Sequence, residues 1–239
     1  MNKITATIIG AAVGLILPMQ LAFADGGAAI GPLSELTGEW WQWALSIPSG
    51  QNPQTDGTGQ YCMVGQRGPI WFLAGDFAPN GGIVTRACSV PEGKALFFPV
   101  INSFWNNTPS TNPDCGQSGE NWDVKTLIFN IKTTGIDSTH DLSVTVDGKA
   151  LDQKQIQHVL SLPFPTVFPA DNVFGPNACG MGAPLPAGVY SPSMDDGYYV
   201  LLTPLKVGLH TLKFHGEYGS GPVLEDVTYN LTVVPVSLK

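Results

Sequence analysis

The sequence predicts a mainly β protein, an antiparallel β-sandwich of jelly-roll or immunoglobulin-like type with one or two packed amphipathic helices. Three observations carry that prediction. Gly and Pro number 28 and 20 among 239 residues, and only 13% of residues are charged, a balance that suits loop-rich β structure. Near the C-terminal end Val227, Tyr229, Leu231 and Val233 alternate with Thr228, Asn230 and Thr232. His210, Leu212 and Phe214 likewise alternate with Thr211, Lys213, His215 and Glu217, the period of half-buried strands. Finally, Leu142, Val144 and Val146 alternate with Ser143 and Thr145 before Asp147-Gly148, a strong hairpin signal.

The chain opens with Asn2-Lys3, an apolar run from Ile4 to Leu21 and the small-residue site Ala22-Phe23-Ala24. This is the pattern of a secretory signal peptide over residues 1–24, leaving 25–239 as a single disulfide-stabilised β-rich domain. Leu33, Leu36, Trp40, Trp43, Ala44 and Ile47 then recur at helical spacing, with Ser34 or Thr37 as N-cap and Pro48 as stop. Trp41 falls off that stripe and is expected to be exposed. The polar stretch Ser49–Gln60 contains Asp56-Gly57-Thr58-Gly59, which reads as a turn. It has neither the residue order of an aspartic protease nor the alternating carboxylates of a calcium loop.

The block 61–102 is the expected core. Strands are predicted over Tyr61–Gly65, Ile70–Gly75, Ile83–Val90 and Ala95–Ile101, separated by Gly- and Pro-rich breaks. Ile70-Trp71-Phe72-Leu73-Ala74 and Ala95-Leu96-Phe97-Phe98 are apolar without alternation, as in strands covered on both faces.

The pattern made by Trp40-Trp41-Gln42-Trp43, Asn52-Pro53, Asp56-Gly57-Thr58-Gly59, Cys62, Gln66, Pro69 to Gly75, Arg86-Ala87-Cys88 and Pro91 to Pro99 resembles a family of uncharacterised exported prokaryotic proteins. The likeness covers about the first half of the chain after residue 24. That family has no established activity, so the resemblance implies export and transfers no catalytic role.

Beyond the block, Phe104-Trp105-Asn106-Asn107 ends a strand with an aromatic among amides, a plausible ligand-contact surface. Val124, Leu127, Ile128 and Ile131 mark a second amphipathic helix closed by Gly135. The hairpin covers 141–151, an irregular insertion 153–197, and further strands 198–236.

The formal net charge is −8, without a basic cluster. Nucleic acid and anionic membrane surfaces are therefore poor partners, and no stretch after the signal is apolar enough to span a bilayer. Four cysteines in an exported chain imply two disulfides with three possible connectivities. Cys62–Cys88 within the block and Cys115–Cys179 between two long loops are favoured, each contributing roughly 3–4 kcal/mol in the loop-entropy account. The location is secreted or periplasmic.

No nucleophile elbow, zinc-protease helix or phosphate loop is present. His140, His158, His210 and His215 are scattered through separate segments or strand faces, so no metal site and no cofactor are expected. The acidic pairs Glu120 with Asp123 and Asp195 with Asp196 read as a helix N-terminal charge and a solvated turn. Candidate ligand contacts are Gln66, Arg86 and Asn102 around one pocket, with Trp41 and Trp105 as exposed aromatics. For Arg86 the competing reading is a buried ion pair with Asp56 or Asp76, beside Phe98. These features fit an exported binding or structural module for an extracellular or cell-envelope component such as a carbohydrate. The alternative is a hydrolase or lyase acting on an extracellular polymer, and the sequence leaves open whether the chain is an enzyme.

Overall fold

The uninterrupted apolar run Ala95–Ile101 lies inside a strand buried on both faces, with the neighbours Phe97 and Phe98 each 0% exposed, which is why it needs no polar face. In the computed structural model, which describes residues 31–77, 81–107, 122–175, 185–218 and 223–236, two five-stranded sheets pack together. The elements are α1 (Leu33–Ser46), β1 (Ile70–Phe72), β2 (Gly81–Pro91), β3 (Ala95–Asn106), α2 (Val124–Thr133), β4 (His140–Val146), β5 (Lys149–Ala150), β6 (Gln157–Leu160), β7 (Phe164–Phe168), β8 (Gly188–Leu202), β9 (Gly208–Tyr218) and β10 (Val223–Val234). One sheet runs β1-β3-β8-β6, with β7 also paired to β8; the other runs β2-β10-β9-β4-β5.

The β-sandwich forms because the alternating faces predicted from sequence point at one another. Phe98, Val100, Val200 and Leu202 of the first sheet meet Val90, Leu212, Phe214, Val227, Tyr229 and Leu231 of the second. Phe98 stacks on Phe214 at 4.9 Å between centroids. The predicted disulfide Cys62–Cys88 joins the loop before β1 to β2 and belongs to this core. Cys115, Cys179, Glu120 and residues 1–24 lie outside the described residues. Among the described residues no helix is long and apolar enough to cross a membrane.

α2 forms as expected, with the Asp123 carboxylate accepting the Thr126 amide at 2.8 Å as its N-cap. It packs on β3 and β8, burying Leu127 and Ile131 with Ile101, Ile136 and Met194. α1 buries Leu36, Trp40, Trp43, Ala44 and the following Ile47 as its spacing predicts, but also Trp41 and Leu45. Gly38 lets the Phe164 ring of β7 approach so closely that a Cβ there would lie 3.0 Å from it. β7 thereby covers the flank of α1 that the sequence left open to water.

Three expectations change. Tyr61–Gly65 is a series of turns rather than a strand, held by Cys62 N–H to Gly59 O at 3.1 Å and Val64 N–H to Tyr61 O at 2.9 Å. Local bonds of this kind consume the groups a ladder would need. The stretch 153–197 is not an irregular insertion: its described residues hold β6, β7 and the first ten residues of β8. Pro165 and Pro192 disguise those strands, since proline cannot donate to a ladder; the β7–β8 register shifts around Pro165. The sheets are also not wholly antiparallel, because β1 pairs parallel with β3 and β2 parallel with β10.

Candidate functional site

Each tryptophan of α1 donates its indole N–H to a different anchor. Trp40 bonds Leu73 O at 2.9 Å, Trp43 bonds Val64 O at 2.8 Å, and Trp41 bonds the Asp195 carboxylate at 2.7 Å. Trp41, expected to be exposed, is only 5% exposed and stacks on Phe104 at 4.6 Å. Its partner Asp195 is 0% exposed and also receives the Tyr199 hydroxyl, on both oxygens, at 2.8 Å. Asn102 Nδ2 donates to that same Tyr199 oxygen at 2.8 Å. Two of the expected contact residues, Trp41 and Asn102, therefore meet through Asp195 and Tyr199, in a buried network rather than on a surface.

Asp195 and Asp196 are neighbours in mid-strand β8 and not a solvated turn, so they project to opposite faces of the sheet. Burial pushes the Asp195 carboxyl up to about 8; the bonds from Trp41 and Tyr199 offset only part of that, and the nearby Asp196 charge adds to it. Burial, followed by the Asp195 charge, likewise raises Tyr199 well above a free phenol.

Arg86 shares the inward face of β2 with Val84 and Cys88, as period two requires, and is 1% exposed. Its guanidinium donates to the carbonyls of Asp56 (2.6 Å), Ala74 and Gly75 (both 2.8 Å) and Gln54 (3.3 Å), and to the Tyr229 hydroxyl (3.2 Å). Tyr229, not Phe98, lies under the cation, 5.7 Å from its centroid. The expected carboxylate partner is corrected too: Asp56 offers its carbonyl, while its carboxylate holds the Thr58 and Tyr61 amides. Burial pushes the Asp56 carboxyl up, but those bonds and the Arg86 charge outweigh it and leave it below its ordinary value. The Asp56–Gly59 turn is seated on β2, where Gly59 has φ 88° and a Cβ would fall 2.3 Å from Ala87 O.

Gln66 also works inward. Its side chain accepts the Phe72 amide at 2.9 Å and donates to the carbonyls of Phe72 and Cys62 at 2.8 and 2.9 Å. Gln66, Arg86 and Asn102 thus bond three separate sets of groups and do not form the pocket expected of them. Trp105 alone among the five fits its expectation in part: it is half-buried, 5.7 Å from the Trp122 ring.

Among the described residues, an open groove lies along the outer face of α1. A groove of about 610 Å³ is lined by Glu39, Gln42, Trp43 and Ser46 of α1 and by Arg67, Pro69, Ile70 and Phe72 across from them. The helix presents Glu39, Gln42 and Ser46 together because they are three and four residues apart. Burial, then the neighbouring Glu35 charge, raises the Glu39 carboxyl above its ordinary value. Arg67 is exposed, and among the described residues it has no ion-pair partner. Sequence reading missed Glu39 and Arg67, although their positions off the apolar stripe and beside Gly68-Pro69 were available signals. Comparison with protein-family models, curated proteins and solved structures finds no match.

Proposed function

We propose that the protein is an exported binding module for an extracellular or cell-envelope ligand of saccharide type, held in the groove along α1. The observation that carries the reading is the composition of that groove: an apolar wall of Trp43, Ile70 and Phe72 faced by Glu39, Gln42, Ser46 and Arg67. Sugars offer apolar ring faces and hydroxyls, so a ligand site for them combines a few oriented polar groups with an apolar surface. Export is supported by the signal-like residues 1–24, by the family resemblance and by the Cys62–Cys88 disulfide, which persists in oxidising compartments.

Binding is favoured over polymer hydrolysis because Glu39 is the single carboxylate among the groove-lining residues, whereas a glycosidase sets two across the scissile bond. The test is a screen of immobilised glycans and envelope polymers, with product analysis on each hit. Arg67→Ala or Gln42→Ala should weaken a hit about tenfold, as expected for losing one charge-assisted or polar contact, with an unchanged melting temperature. Cleavage products from a hit, or binding indifferent to both substitutions, would reject this reading.

A further inference from the structure

The sandwich gathers a second set of polar side chains that sequence distance concealed. Asp196 faces away from α1, and its side chain is 1% exposed. Strand pairing places His158 of β6 opposite Tyr198 of β8, and the two rings stack at 4.5 Å with planes 10° apart. That stacking aims His158 Nε2 at Asp196 Oδ1, 2.6 Å away. Asp137 enters from the single helical turn Ile136–Ser138 after α2. One donor atom from each of Asp137, His158 and Asp196 lies within 4.8 Å of the others. Lys132, in the last turn of α2, puts its Nζ between the carboxylates, 2.6 Å from Asp137 Oδ1 and 2.5 Å from Asp196 Oδ2.

We infer that Asp137, His158 and Asp196 form a divalent-cation site of the zinc or manganese type, for which the Lys132 ammonium is the competing occupant. The donor set is one imidazole and two carboxylates, which suits these ions better than the all-oxygen shell of calcium. Donors about 2.0–2.2 Å from an ion stand roughly 3 Å apart, so closing on it needs only small side-chain shifts. The three donors come from three elements and leave coordination positions open toward solvent, where His158 and Asp137 are exposed. Lys132 marks the focus of the negative field: two carboxylates against one ammonium leave the set short of one positive charge. A divalent ion there would neutralise both, and the Lys132 side chain, 36% exposed on a flexible stem, can move into water.

The test is calorimetric titration of Zn²⁺ and Mn²⁺ into chelator-treated protein, for the wild type, Lys132→Met, Asp137→Asn and His158→Ala. One equivalent is expected to bind the wild type. Binding should tighten about tenfold in Lys132→Met, which removes the competitor, and weaken at least about tenfold in His158→Ala and Asp137→Asn. Asp137→Asn is the second informative variant, since exposed Asp137 can be changed with little effect on folding. The absence of saturable binding in both wild type and Lys132→Met would overturn the site and leave Lys132 as a permanent counter-ion. Binding that survives both His158→Ala and Asp137→Asn would place the ion elsewhere and overturn it equally.

Discussion

Asp195 meets no water, and at neutral pH its carboxyl is largely protonated, because burial has carried it to about 8. An unfolded aspartate titrates near 3.9, so between about pH 4 and 8 the folded chain holds a proton that the unfolded chain has released. Stability contributed by this group is therefore greatest below pH 4 and falls by up to ~1.4 kcal/mol per unit as pH rises to 8. Glu225, half-buried beside Asp76 and also raised to about 8 by desolvation, acts in the same direction. Urea unfolding of Asp195→Asn should show a shallower decline over that window than the wild type; an unchanged slope would mean Asp195 is ionised in the fold. Trp41→Ala should cost roughly 3–5 kcal/mol, the range for deleting a core aromatic, rather than leave stability intact as a surface aromatic would. Arg86→Met should cost about as much, by stranding the Asp56 and Gly75 carbonyls inside the core and removing the charged fork that also ties Ala74, Gln54 and Tyr229 together. Arg86→Lys should not rescue it, because one ammonium cannot reach acceptors spread around a planar fork. Denaturant midpoints for the three variants decide both points.

At the scale of elements, the legible parts were those whose signal is local. The Asp147-Gly148 hairpin formed where its turn chemistry demanded, with φ 52° and 74° at those two residues, and β9 and β10 buried the faces their alternation predicted. Asp123 caps α2, so Asp123→Ala should lower the melting temperature, checked by thermal unfolding; no change would deny the cap an energetic role. What stayed hidden depends on partners distant in sequence. Trp41 reads as exposed from the helix alone, and it is Phe104 of β3 and Asp195 of β8, both distant in sequence, that cover it. Gln66 and Arg86 look like ligand contacts because polar groups in apolar segments need partners, and the backbone carbonyls that satisfy them carry no sequence signature. β7 and the start of β8 were hidden by prolines, and the pairing of His158 with Asp196 exists only because β6 lies beside β8.

For the whole molecule, we propose a division of labour: Trp40, Trp41 and Arg86 build the interior, and ligand contact falls to the groove between α1 and residues 65–72. Hydrogen–deuterium exchange, with and without a glycan from the binding screen, separates these roles directly. Slowed exchange should be confined to residues 39–46 and 65–72, the two walls of the groove. Protection centred instead on Trp105 and Trp122, with the groove unchanged, would contradict the claim.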